Sequence, residues 1–464
     1  MKEIKVVNIA FLLSLFSVTL FSQSDSVFSF SLVEAQNFAS DNFYMSKNAQ
    51  LDVESAKKQV LETTAIGLPQ VSGGVDYTYI PEVPEVVFGG YNYIFSTLPN
   101  DHVITAADLN NPNSVGLGFI PGEPVALGVE HNVSYNVMVN QLLFSGEYIV
   151  GLQASKTFKQ LSEEAYEKTL IEVKDMVSGS YYSILILEKN KELLGESLEN
   201  LKDLYNEAKK TTEVGLMEST DADQLLVNVT RTENSLKSID RQIEFMYNMF
   251  KYQLGLPVET EIQLTEDIDD LILRNLIPAT DLYEFKLDNH IDYKMLDTQE
   301  KINSLSLNRE KSTYLPTISA FYKYEDKMEK AALDFTMKHM VGVSLSVPIF
   351  SSGMKTARVS KARIELEKIH LKKEQESEKI KMMAEQAQFD YLSALDTYQN
   401  EKSNFTLSEK IFNNTTIKYS NGMVSSMDLT LANNQFLQAQ LSLSGAILEL
   451  MNAKTKLDKA YSKL

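Results

Sequence analysis

Cysteine is absent from all 464 residues, which excludes disulfides, thiolate zinc sites and cysteine nucleophiles together. Nor does any cysteine follow the amino-terminal leader to carry a lipid. Basic charge is scarce: 44 Lys and Arg stand against 63 Asp and Glu, a net charge of −19 that argues against nucleic acid as a partner. The five histidines, at 102, 131, 290, 339 and 370, lie too far apart to form HExxH or another close ligand pair. No nucleophile elbow, phosphate loop or dinucleotide fingerprint occurs, since "GLGFIPG" (116–122) lacks a strand-to-helix setting. The acidic "TEDIDD" (265–270) lacks the glycine and closing glutamate of a calcium loop and reads better as a solvated turn. No cofactor and no catalysis are expected.

Long apolar runs are also lacking, with one exception. Lys2 and Lys5 precede "VVNIAFLLSLFSVTLF", which ends in "SQSDS". That pattern predicts a secretory signal over 1–22, cleaved near Ser22 to Ser24. No other stretch reaches the roughly 18–20 apolar residues of a membrane helix. Sequons, among them those at Asn132, Asn228 and Asn404, fall in strand or helix patterns and read as chance matches.

Proline is confined. All 11 lie between 69 and 124, at 257 and 278, or at 316 and 348, leaving 125–256 and 349–464 free of a residue that costs about 3 kcal/mol inside a helix. Each free territory contains one short break, "TEVGLMESTD" (212–221) and "YSNGMVSSMD" (419–428), whose glycines are 207 residues apart. Gly146 to Gly215 and Gly353 to Gly422 each span 69 residues. After the first break Leu225, Val229, Thr232, Leu236, Ile239, Ile243, Met246 and Phe250 recur in steps of about 3.5; after the second, Ala432, Phe436, Ala439, Leu443, Ala446, Leu450, Ala453 and Leu457 do the same. The chain is a duplication of a long helical hairpin. About 65 helical residues make a rod of roughly 100 Å, too extended for a globular core.

Ahead of each rod the period changes to two. "QVSGGVDYTYI" (70–80) with "HNVSYNVMVN" (131–140), and "TISAFYKYE" (317–325) with "VGVSLSVPIF" (341–350), each alternate apolar with small or polar residues. Membrane β-strands lining a watery lumen, with Tyr77, Tyr79, Tyr322 and Tyr324 as an interface belt, fit that pattern; soluble hairpins on a core are the alternative. Four strands cannot close a barrel, and open edges in lipid leave backbone groups unsatisfied. Three chains would supply twelve. The 41 extra residues of the first hairpin predict a surface loop at about 81–130.

The two-fold repeat, "YLPTISAFYKY" (314–324), "LSVPIFSSGMKTARVSKA" (345–362), "YQLGLP" (252–257) and "VGL" (214–216) resemble the TolC family of outer-membrane efflux channels over nearly the whole chain after the signal. The resemblance implies a mainly α fold with β: two repeated α-helical hairpins forming a tunnel in the periplasm, and four strands per chain in a homotrimeric, twelve-stranded outer-membrane barrel. It divides the chain into repeat 1 (23–256; strands about 70–80 and 131–144, hairpin 146–254), an equatorial segment 257–283, and repeat 2 (284–464; strands about 317–325 and 340–350, hairpin 353–460).

By the same resemblance the breaks are tunnel tips that dock a periplasmic adaptor (a membrane fusion protein) through Val214, Gly215 and Leu216, and less closely through Gly422 and Met423. Asp221, Tyr419 and Asp428 take the places of a periplasmic gate, although Val424 and Leu431 replace an arginine and a second aspartate. Three Asp428 carboxylates about 7 Å apart would repel by roughly 2 kcal/mol per pair at an effective dielectric near 20, favouring a cation. Helix capping competes for these acids: Ser425 with Asp428, and Thr220 with Asp223, have capping-box spacing. The implied function is a passive duct completing an inner-membrane pump for efflux or type I secretion, embedded in outer-membrane lipid. A periplasmic coiled-coil scaffold and an autonomous diffusion porin are the rival readings.

Overall fold

The computed structural model describes residues 28–464 apart from 97–102, 104, 112, 114, 216–217, 277 and 279–283, so the expected signal at 1–22 lies outside the described residues. In chain order the elements are β1 (Phe28–Phe30), α1 (Leu32–Asn42), α2 (Tyr44–Ile66), β2 (Gln70–Tyr79), β3 (Glu85–Val87), β4 (Gly90–Ser96) and α3 (Ala106–Leu109). Next come β5 (Val115–Pro121), β6 (Pro124–Ala126), β7 (His131–Ser145), α4 (Gly146–Glu213), α5 (Ser219–Gln253), β8 (Ile262–Leu264) and α6 (Ile268–Asn275). The chain ends with α7 (Ile291–Ser312), β9 (Thr317–Lys327), β10 (His339–Ser346), α8 (Met354–Ser420) and α9 (Ser426–Ala460).

Contacts divide the chain into two compact units. One comprises Met1–Val53, Leu161–Asp297 and Lys372–Leu464; the other comprises Glu54–Gln160 and Thr298–Leu371.

The first unit is mostly helical. Its core gathers Tyr181, Ile184, Phe250, Tyr391, Leu450 and Leu457 with Phe30, Ile268 and Ile272. The seam positions of α5 and α9 point inward as their spacing requires: Leu225, Val229, Thr232, Ile239 and Phe250 are buried, as are Ala432, Phe436, Ala439, Ala446, Leu450, Ala453 and Leu457. A parallel β1–β8 ladder, Phe28 opposite Ile262, ties the amino-terminal segment down. The acids of "TEDIDD" are used locally. Asp267 caps α6 by accepting from the Asp269 amide at 2.7 Å, and Glu266 accepts from the Leu32 amide at 2.7 Å and pairs with Arg274 at 2.9 Å. Among the described residues no acid or histidine cluster could hold a metal, and no helix is long and apolar enough to cross a membrane.

His290, just before α7, has a pKa below the ordinary value near 6.5. Burial is the main cause; Asp292 at 3.8 Å opposes it, while Lys168 and Lys459 reinforce it. The unfolded chain therefore binds a proton more readily than the folded one. Stability from this group is complete above about pH 6.5 and is lost as pH falls through the lowered folded value. His290→Gln is expected to flatten the acid-side decline in thermal-melting temperature; an identical decline in the variant would contradict the assignment.

The second unit holds a four-stranded antiparallel sheet in the order β10-β9-β7-β2, so β2 and β10 each have one neighbour and one open edge. Its register sorts the side chains by face. Val71, Val139, Tyr322 and Val341 form one cross-strand row, and Gly73, Val137, Tyr324 and His339 the next. The other face carries Ser72, Met138, Lys323 and Met340, then Gly74, Asn136 and Glu325. Val75, Val341 and Val343 are 75, 78 and 68 % exposed in the chain. One arrangement occurs twice, at the far end of the β2–β7 pair and at the start of β10. Tyr77 hydrogen-bonds His131 at 3.0 Å with Tyr79 stacked on the same ring, and Tyr322 hydrogen-bonds His339 at 2.9 Å beside Tyr324. A bulge at Leu143 shifts the β7–β9 register.

Two expectations differ from the structure. The segment 81–130 is not irregular throughout: Glu85 pairs with Ala126, Gly90 with Pro121 and Ser96 with Val115, continuing the β2–β7 register outward with a one-residue shift. The expected strand 340–350 stops at Ser346, because Pro348 has no amide to donate to a ladder.

Candidate functional site at the two hairpin turns

Both long helices end the same way. Gly422 has φ +71°, its amide donates to the Tyr419 carbonyl at 2.8 Å, and the Met423 amide reaches the Lys418 carbonyl at 2.9 Å. This paired closure is the Schellman ending, and the left-handed residue it needs costs a side-chain-bearing amino acid about 1–2 kcal/mol. Gly215, φ +76°, donates to the Thr212 carbonyl at 2.9 Å in the equivalent place. Val214 and Met423 flank the glycines and are 69 and 66 % exposed. Leu216, expected to complete the first docking turn, lies outside the described residues.

The returning helices begin differently. Ser425 caps α9: its hydroxyl accepts from the Asp428 amide at 3.2 Å, while the Asp428 carboxylate accepts from the Ser425 amide at 3.0 Å and its hydroxyl at 2.8 Å. These bonds hold the Asp428 carboxyl below the usual carboxylate range. The matching box at Thr220 and Asp223 does not form. α5 starts two residues earlier, capped by Glu218, and the Thr220 hydroxyl donates to Glu218 at 3.3 Å.

Asp221 is freed from capping and works across the two hairpins. Its carboxylate accepts a short hydrogen bond from Ser426, a buried residue whose hydroxyl also reaches Gln224 at 2.9 Å. Further along, Asn228 donates to Thr430 at 2.8 Å and Arg231 to Asn434 at 3.4 Å. Beside this polar seam sits an apolar cluster drawn from all four helices: Leu204 and Ala208 of α4, Ala222 and Leu225 of α5, Phe412 and Tyr419 of α8, Leu429, Ala432 and Phe436 of α9. Tyr419 is buried in it, and its pKa is raised by burial first, then by Asp221 and Glu207. Asp221 and Tyr419 are therefore brought together, whereas Asp428 is exposed and bonds to Ser425.

Ser426 had no signature in the sequence, since its partner is 205 residues away. Asn228 carried one that could be used: a polar residue next to a heptad seam, 2 % exposed, marks a specific partner rather than a glycosylation site.

Residues 307–462 match the sequence profile of the family described as "Outer membrane efflux protein". No curated protein matches the chain. Solved structures with the same fold include CusC, studied for transmembrane channel formation (TM-score 0.68, 15 % identity, 93 % of this chain and 91 % of that one). Others are the CmeC outer membrane channel of Campylobacter jejuni (0.66, 16 %, 93 % and 85 %) and the outer membrane protein VceC of Vibrio cholerae (0.66, 13 %, 93 % and 95 %).

Proposed function

We propose that this chain, a TolC-like outer membrane efflux protein and not an enzyme, is the exit duct of a tripartite export system in the bacterial outer membrane. Three copies close a twelve-stranded barrel, and their helical hairpins form a tunnel in the periplasm. The observation that carries this reading is the four-stranded sheet, with a largely apolar face through Val71, Val139, Tyr322 and Val341 and two open edges. Open edges in hydrocarbon are satisfied only by further strands.

The two glycine turns dock the periplasmic adaptor through Val214, Gly215, Leu216, Gly422 and Met423, and an inner-membrane pump supplies the energy and selects the substrate. Asp221, Tyr419 and Asp428 belong to the gate. The Asp221–Ser426 bond and the shared Tyr419 cluster favour an entrance closed at rest over an open porin, because both must separate before the hairpins can part. Multidrug efflux and type I secretion both fit such a duct.

The test is purification of the tagged chain from native membranes. An adaptor and an inner-membrane pump are expected to co-purify, and Val214→Asp combined with Met423→Asp should release both while the chain remains an outer-membrane trimer. Recovery of the chain in the soluble fraction would favour the scaffold; large conductance in planar bilayers with no adaptor would favour the porin.

A further inference from the structure

One side chain breaks the apolar pattern of β9. Tyr322, Tyr324 and Asp326 alternate onto the face that carries Val139, Val137 and Val341, which the proposed barrel turns to hydrocarbon. Met328, whose amide donates to the Val133 carbonyl at 2.9 Å, carries the ladder one residue further outward and is exposed. Asp326 thus stands between a tyrosine and an exposed methionine, and it is buried there. Two lysines of the 328–338 loop between β9 and β10 close on its carboxylate, Lys338 at 2.8 Å and Lys330 at 3.5 Å. Their side chains remain 48 and 47 % exposed. An ammonium group has three donors, so both lysines keep donors for a second anion. Lys327 is engaged separately, with Asp334 at 3.7 Å. Phe335 and Met337, on the same loop, are 82 and 71 % exposed.

We propose that Lys330 and Lys338 hold the phosphate of an outer-leaflet lipid on the rim of each copy, with Met328, Phe335 and Met337 seated against its acyl chains. Two features name this occupant. The exposed apolar side chains continue the face that meets hydrocarbon, and the lysines lie one side-chain pair outward from Tyr324 and His339, whose rings are 5.1 Å apart. Tyrosines at a membrane interface sit at headgroup level, so cations just beyond them meet phosphate. Asp326 gathers the two ammonium groups within reach of one anion, and the triad keeps one surplus positive charge. This inference rests on the outer-membrane barrel proposed above.

The experiment is native mass spectrometry of the full-length trimer in detergent, incubated with diphosphorylated lipid A or with the same glycolipid stripped of its phosphates. The parent is expected to retain up to three phosphorylated lipids per trimer and at least fivefold fewer of the stripped form. Lys330→Gln combined with Lys338→Gln should abolish that difference, whereas Lys330→Arg combined with Lys338→Arg should keep it. Asp326→Asn is expected to raise retention, because the phosphate no longer shares its lysines with a carboxylate; lysines that only fasten the loop would not give that result. Equal retention of the two lipids by the parent would overturn the site while leaving the trimeric barrel standing. A chain that yields no trimer would overturn the barrel and the site together.

Discussion

Val343→Arg is expected to abolish assembly of the protein in the outer membrane. Val343 is 68 % exposed in the middle of β10, opposite Ala320, on the face that carries Val341, Tyr322 and Val139. An arginine facing the bilayer midplane of a β-barrel costs about 2–4 kcal/mol. In the proposed barrel of three copies, the penalty falls three times at once. The neighbouring Ser344 lies on the opposite face, paired with Ser319, so Ser344→Arg should assemble normally. Heat-modifiable gel mobility and membrane fractionation read both variants. Equal assembly of the two would mean that hydrocarbon does not touch the Val343 face.

Phe436→Ala should open the entrance in the absence of adaptor. The Phe436 ring stacks on Phe412 with centroids 5.3 Å apart and lies 5.6 Å from Phe405. It is 6 % exposed at the point where α4, α5, α8 and α9 share one apolar cluster. Truncating a buried phenylalanine typically costs about 3–5 kcal/mol. Here that loss falls on the cluster holding the two hairpins together rather than on the second unit, whose sheet should still fold. Near the turns the other ties between the hairpins are hydrogen bonds, each worth only about 1 kcal/mol net against water. Conductance in bilayers is expected to rise, and protease cleavage at the 214–218 turn to accelerate. Parent-level conductance together with parent-level protease resistance would place the closing interaction elsewhere.

How much of this was legible in advance depends on where each feature stores its information. The rods and seams were readable because proline is excluded locally and an apolar residue must return every 3.5 positions; Leu225, Phe250, Ala432 and Leu457 are all buried accordingly. The Ser425–Asp428 box was readable for the same reason, since both partners sit within one turn. Residues 85–96 were not readable as strands. Their pairing with 115–126 depends on a register inherited from β2 and β7, while Pro84, Gly89 and Gly90 read locally as loop. The Thr220–Asp223 box does not form because Glu218 caps α5 two residues earlier, through position alone and without a side-chain bond. The Asp221–Ser426 bond was invisible because it joins two repeats across 205 residues with an offset different from the 207 of the duplication.

The chain's lack of cysteine makes the central claim directly measurable. One cysteine placed at Ser72 on the open β2 edge and one at Ser344 on the open β10 edge can be bridged in intact outer membranes with a short bis-maleimide. Denaturing gels should show a ladder that stops at three chains, because the β2 edge of each copy meets the β10 edge of the next and the ring closes. A product confined to one chain, or a ladder running past three, would contradict a barrel built from three copies.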